Sequence, residues 1–451
     1  MIANETDNAE NDASVSVTPP GPAHDISLEE VARAPLNFLE DIVRRFGNVT
    51  RHQTDGRPVT IVNEPEMVSE ILISKRLNYV KTGTPDELML VPLLGRGLLT
   101  TDGDLWREQR ALAQPAFQHR EIIHFAPLMI DEADRMIGRW LSESDSIRLD
   151  RELTSLTLAI VARSLLGSDV AIGSRFGEAV DDANRFMGHY GVGENGLQGD
   201  RQKFGAARAF IDRIVGLLIS VAKIDDGDRH DFLARLVAES NDRRTGGLSA
   251  REIRDQVVTM LMAGHETTAK SLTWTLWLLD QHPDIAKRAR DEVDSVLGGT
   301  PPGADVLERL PFLKAVLNEG LRLYPPVWLI SRRAVEADTL GQFEIPKDSL
   351  VCVSPWLLHR RNDLWEDAEQ FRPDRFMIES DRHQCSFLPF SAGPRQCIGQ
   401  HFATLEGVLV LARMLQLVDI EIDSEHPVEP EALVTLRPRN GVVAKIRARS
   451  I

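Results

Sequence analysis

From about Gly103 to Tyr324 the apolar residues recur with a helical period and almost no interruption. A stretch that long commits the centre of the chain to packed helices. The spacing predicts helices near 103–115, 122–142, 151–166, 175–188, 202–223, 229–239, 249–281, 283–297 and 311–324. Gly188 to Gly199 carries five glycines and reads as a mobile loop between two of them. Ser249 and Glu252 form a capping box at the start of the longest helix.

Both flanks change pattern. Val49 to Gln53 and Pro58 to Val62 flank Asp55-Gly56, which predicts a β-hairpin. Ser27 and Glu30 predict a short first helix, and Pro65 opens another that runs to about Ser74. Tyr79 to Thr100 reads as a long irregular loop. Beyond Pro325 short strands and turns take over, with one helix at 398–417 and a turn at Asn440-Gly441. Length alone allows about three domains, but no low-complexity linker or internal repeat divides the chain. The expected fold is mainly α with a smaller β-rich region split between the two ends. It forms a single large domain over 25–451, preceded by a disordered acidic tail over 1–24.

The net charge of −16 argues against a nucleic-acid partner, which needs a basic face. Cys352, Cys385 and Cys397 lie 33 and 12 residues apart, which suggests neither a zinc site nor a disulfide framework. That usage fits a reducing compartment. The N-terminus has no apolar signal region. No apolar run reaches the roughly 18 residues that span a bilayer. A cytoplasmic protein without a membrane span is expected.

The stretch from Phe387 to Ala403, F-L-P-F-S-A-G-P-R-Q-C-I-G-Q-H-F-A, holds Cys397 at a loop-to-helix join. Pro389, Gly393 and Pro394 exclude regular structure before it. Free N–H groups and the positive end of the helix dipole favour a thiolate there. Gly399 leaves room for a large flat ligand, and Arg395 offers a cation to an acidic group on it. Alone, such a cysteine is usually an inert core residue.

The spacing F-x-x-G-x-R-x-C-x-G, from Phe390 through Gly393, Arg395 and Cys397 to Gly399, resembles the haem-ligand loop of the cytochrome P450 family. Ala403 and Glu406 extend the match. The resemblance implies that Cys397 is the axial ligand of haem b iron, with Phe390, Arg395 and Gly399 against the cofactor. Four further motifs follow the family's order.

Ala263 to Thr268, A-G-H-E-T-T, lies within the longest helix. Gly264 costs roughly 1 kcal/mol there against alanine, and a threonine hydroxyl can bond back one turn and bend the helix. By itself this reads as a kink in a core helix. It also resembles the family's oxygen-binding groove. By that resemblance Thr267 hydrogen-bonds bound dioxygen, Glu266 belongs to the proton-delivery path, and Gly264 is among the cofactor-binding residues. Aspartate is more frequent at the position of Glu266. His265 reads as a supporting residue rather than a metal ligand.

Glu319 and Arg322 lie at i, i+3 on one helix face, in an otherwise apolar segment. With Arg375 of F-R-P-D-R-F they resemble the family's structural triad, which holds the loop leading to the cysteine. Trp106 and Arg110, at i, i+4, resemble the residues that bond a haem propionate. Arg333 resembles the strand arginine that does the same. Arg332 next to it points the other way on a strand, so only one can serve; Arg333 is the expected one.

The implied protein is a haem-thiolate monooxygenase. It inserts one atom of O2 into a hydrophobic substrate, such as a terpenoid, polyketide, fatty acid or aromatic intermediate. The expected substrate wall comprises the loop before Trp106, Leu261, Met262, Ala263, Val327, Trp328, Leu329, Ile330, Val434, Thr435 and Leu436. The chain leaves no room for a reductase. NAD(P)H therefore acts indirectly, through a ferredoxin or flavodoxin with its reductase, on a monomer. Arg107, Arg395 and Arg413 form the expected docking patch. Two rivals are a haem-thiolate enzyme that couples or rearranges substrates without inserting oxygen, and a haem-based gas sensor or binding protein.

Overall fold

The computed structural model describes residues 17–143, 146–167, 174–188, 198–224, 231–240, 247–379 and 381–449. The expected glycine-rich loop lies largely outside these residues, as does most of the N-terminal tail. Residues 17–24 are not a loose tail. Val17 bridges to Phe343, and Arg51 N donates to Pro20 O at 2.9 Å.

Twelve helices carry the account: α1 (Leu28–Arg33), α2 (Pro35–Phe46), α3 (Pro85–Leu94), α4 (Gly103–Ala113), α5 (Ala126–Glu143), α6 (Leu149–Leu165), α7 (Ser174–Gly188), α8 (Gln198–Ile224), α9 (Ala250–Gln281), α10 (Pro283–Leu297), α11 (Pro311–Leu323) and α12 (Gln400–Leu417). Most match the predicted periods to within a few residues. Two lie outside those predictions: α2, which follows the short first helix, and, inside the stretch read as irregular, α3. Its apolar residues lie on every side and Pro92 interrupts it, so no periodic stripe shows. Its start is nevertheless well capped. Thr84 Oγ1 accepts Glu87 N at 3.3 Å, and Glu87 accepts Gly83 N at 2.6 Å.

Six strands form the main sheet: β1 (Asp25–Ile26), β2 (Val49–Thr54), β3 (Arg57–Val62), β4 (Tyr79–Val80), β5 (Ile330–Ala334) and β6 (Leu350–Val353). Their order is β1-β2-β3-β6-β5-β4, so strands from before and after the helical centre meet in one sheet. The β2–β3 hairpin turns as expected. Thr54 pairs with Arg57, and Asp55 and Gly56 both take positive φ, 48° and 74°. A small hairpin, β7 (Pro430–Ala432) with β8 (Leu436–Pro438), reaches back toward the helices. A three-stranded sheet joins Val418–Ile422, Val443–Ala448 and Ser146–Arg148.

Helix α9 runs through the middle of the largest hydrophobic cluster. It packs on α6 along one side and on α11 and α12 along others. Its capping box is formed: Ser249 Oγ accepts Glu252 N at 3.3 Å, and Glu252 accepts Ser249 N at 2.8 Å. It is helical across the whole of Ala263 to Thr268. Thr267 and Thr268 bond back to Ala263 O and Gly264 O, at 2.9 and 3.2 Å. No helix of the described residues is long and apolar enough to cross a membrane.

Candidate active site

Cys397 stands three residues before α12. Its N–H donates to Phe390 O at 2.9 Å, and Gln396 N donates to Gly393 O at 2.9 Å. The loop depends on Gly393, which takes φ +70°. A Cβ there would lie 2.3 Å from Leu72 O. The thiol side chain carries exposed surface, yet protein encloses it: that surface faces the cavity it lines. Burial pushes the thiol pKa up, and this outweighs the Gly399 N–H bond and the Arg110 charge that pull it down. The helix N-terminus alone therefore does not make a thiolate here. A cation placed against the sulfur would.

The cavity has a volume of about 740 Å³. Cys397, Phe390, Arg395 and Gly399 line it from the loop, and Met262, Ala263, Gly264, Glu266 and Thr267 from α9. A Cβ on Gly264 would come within 3.0 Å of Val161 on α6, so this glycine also lets two helices approach. Trp106 and Arg110 line the cavity from α4. Arg395 stacks on Trp106, with the guanidinium carbon 4.6 Å from the ring centre. Arg110 donates to Gln396 O at 2.9 Å.

Of the two strand arginines, Arg332 and not the expected Arg333 lines the cavity. Arg333 faces outward, donating to Thr82 O at 2.8 Å and to Asp348 at 2.6 Å, and it does not line the cavity. Arg332 is 6% exposed and lines the cavity with Ile330, two residues away on the same strand face. Sequence reading also missed Lys81, which lines the cavity beside β4 and donates to Leu99 O at 2.7 Å. A lone lysine between Tyr79-Val80 and Thr82-Gly83 is the only signal it leaves. Burial, then the charge of Arg395, lowers the Arg332 pKa to about 10. Burial, then Arg332, lowers that of Lys81 to about 8. These cations share Asp86 and Asp102 as neighbouring acids. The cluster is short of negative charge, as a pocket for two carboxylates should be.

Glu266 is almost fully buried. Asn184 Nδ2 on α7 donates to its Oε2 at 2.6 Å, and Thr435 Oγ1, between β7 and β8, donates to its Oε1 at 2.8 Å. All three residues line the cavity. His265 does not line it. Its Nδ1 meets Leu261 O, and its Nε2 has no partner among the described residues.

Glu319 and Arg322 are fully buried and paired, at 2.7 and 2.8 Å. Arg375 Nε reaches Glu319 Oε1 at 3.0 Å. Arg322 also donates to His359 O, Ala368 O and Gln370 O, so the trio pins the segment that leads toward the cysteine loop.

Of the expected substrate wall, Met262, Ala263, Val327 to Ile330, Val434 and Thr435 line the cavity, with Met89, Leu90 and Leu98 from the region before Trp106. Leu261 and Leu436 do not; both pack fully into the interior. The docking patch also changes. Arg395 is paired with Asp102 and faces the cavity. Arg413 is held by Asp134 at 2.6 and 3.1 Å. Only Arg107 is well exposed, and it pairs with Asp104.

The residues present fit haem b: an enclosed thiol, a glycine beside it, an aromatic wall and buried cations for two propionates. The Cytochrome P450 family model matches residues 24–444. Cyclooctatin synthase of Streptomyces melanosporofaciens is 34% identical over 85% of this chain and 84% of that protein. Pentalenene oxygenase of Streptomyces avermitilis is 30% identical, over 93% and 94%. Cytokinin hydroxylase of Arabidopsis thaliana is 30% identical, over 85% and 78%. The chain therefore belongs to the cytochrome P450 family: it is a haem b monooxygenase that inserts one atom of O2 into a hydrophobic organic substrate, with electrons from NAD(P)H delivered through a redox partner.

Proposed function

We propose that Cys397 is the axial ligand and that the substrate is a ring-shaped, largely apolar molecule of the terpenoid class. One observation carries this reading: Cys397 and the Glu266–Thr267 pair open onto the same apolar-walled cavity, which also gathers the cations. The names of two relatives, pentalenene oxygenase and cyclooctatin synthase, agree with it. Trp328 and Met89 supply broad, adaptable walls for such a molecule.

Bound here, haem supplies the oxygen-activating chemistry. Arg332, Arg395, Arg110, Lys81 and Trp106 would hold its propionates. The overall change converts R–H, O2, two electrons and two protons into R–OH and water. Glu266 stores charge for proton transfer, held at both oxygens by Asn184 and Thr435. The Thr267 hydroxyl donates to Ala263 O, so it must release that bond before it can pass a proton into the cavity. The apolar walls keep bulk water from short-circuiting the transfer.

Electrons reach the protein from a ferredoxin or flavodoxin and its reductase, and the enzyme works as a cytoplasmic monomer. The test is a screen of cyclic terpenoids by haem spin-state shift, followed by product mass under labelled O2. One labelled oxygen atom in the product supports the reading. A coupled product without label, or a shift only with linear acids, overturns it.

A further inference from the structure

The cavity does not end at Cys397 and Thr267. It continues as an arm between α1, α2 and the β2–β3 hairpin, walled by Val31, Pro35, Phe38, Val59, Ile61 and Trp328. In that apolar arm sits His52, on β2. It lines the cavity, is only 4% exposed, and its Nδ1 has no hydrogen-bond partner among the described residues. Its ring packs in a T-shaped arrangement with Phe38, 5.3 Å between centres. A buried, unpaired ring nitrogen is costly to leave unmade, so the position asks for a partner.

The chemistry of that partner can be narrowed. Burial holds the imidazole neutral, lowering its pKa to about 4 against the opposing charge of Asp25. A neutral imidazole offers one donor and one acceptor. That suits a hydroxyl or a carbonyl. A carboxylate would need a cation, and the arm's arginine, Arg57, is already committed to Gly83 O at 2.9 Å and Asp348 O at 3.3 Å. Asp55, which also lines the arm, would repel it.

We propose that the arm is a second binding subsite, in which His52 hydrogen-bonds an uncharged oxygen, hydroxyl or carbonyl, on the end of the substrate lodged there. This rests on the monooxygenase reading above and adds a substrate class to it: an apolar ring system that already carries one oxygen. The preceding step must then be an oxygen-introducing one, either a hydroxylation or a ring closure that ends in capture of water.

The test uses the haem-loaded full-length protein, with cedrene, cedrol and palmitic acid titrated by the shift of the haem band. The alcohol should bind about three- to tenfold tighter than the hydrocarbon, the range of one neutral hydrogen bond. His52→Leu should bring that ratio close to one while leaving cedrene affinity and the carbon-monoxide spectrum as they are. His52→Gln should restore part of the preference. An equal ratio in wild type and His52→Leu overturns the proposal, since the imidazole would then hold only water. So does tighter binding of palmitate than of cedrol, or no binding of either terpenoid to a holoenzyme with a normal carbon-monoxide spectrum. An abnormal spectrum in the wild type would instead sink the thiolate reading itself.

Discussion

Asn184 and Glu266 meet at 2.6 Å across the interface between α7 and α9. The pair ties the cavity's carboxylate to a helix that covers it, and Thr435 ties the same carboxylate to the β7–β8 hairpin. The proposed proton path and the closure of this side of the cavity are thus joined at one side chain.

Removing either donor should therefore act on coupling rather than on haem binding. Asn184→Leu or Thr435→Val is expected to slow product formation by about a hundredfold, the lower end for a misplaced proton-transfer group. Peroxide released per NAD(P)H consumed should rise, with haem content unchanged. Unchanged coupling in both variants would mean that Glu266 works without its clamp.

Adjacent arginines on β5 give a direct contrast. Arg332→Ala should weaken haem retention, seen as lower haem occupancy and faster loss of haem to a scavenger. Arg333→Ala removes an outward ion pair with Asp348 and a hydrogen bond to Thr82 O; it should cost roughly 1–2 kcal/mol of stability, with normal haem occupancy. The reverse ranking would restore Arg333 to the cofactor.

Glu319 holds two arginines, one fully and one largely buried, with both partners on its two oxygens. Glu319→Gln leaves those charges uncompensated and should destabilise the fold by roughly 3–5 kcal/mol. The measurement is chemical denaturation of the holoprotein. A loss below about 1 kcal/mol would make the trio an ordinary exposed-type ion pair.

Acid should unfold the protein partly through His359. Its Nε2 accepts Leu388 N at 2.8 Å and its Nδ1 meets Arg322 O at 3.1 Å, which fixes a neutral ring. Burial, then the Arg322 charge, pushes its pKa down to about 3. The unfolded chain takes up this proton near pH ~6.5, so stability from this group is full above that pH and falls as pH drops toward 3. By about pH 5 the loss amounts to about 2 kcal/mol. His359→Gln should flatten this part of the acid limb in denaturation midpoints measured against pH.

Glu406 points the other way. Both its carboxyl oxygens are buried without a partner among the described residues, and burial raises its pKa well above the usual range. It costs stability as pH rises above the unfolded value near ~4.5. Glu406→Gln should therefore be neutral or stabilising at pH ~7, read by thermal unfolding. A marked loss of stability would show that the ionised form is needed.

Local chemistry wrote much of this protein into its sequence. Helical spacing set the bounds of α9 and α11, Asp55-Gly56 set the hairpin, and the glycines and arginine around Cys397 marked the thiolate loop. These features depend on neighbours a few residues away. Helix α3 escaped because a helix apolar on all sides shows no stripe. Arg332 against Arg333 could not be decided from the strand alone, since alternation says that they differ but not which side will be covered. Lys81, Asn184, Thr435 and His52 matter only through what packs on them: Lys81 meets Leu99 18 positions away, and Asn184 and Thr435 meet Glu266 at separations of 82 and 169. Their roles came from tertiary structure because burial and the loss of water, not residue type, turn an ordinary polar side chain into a site.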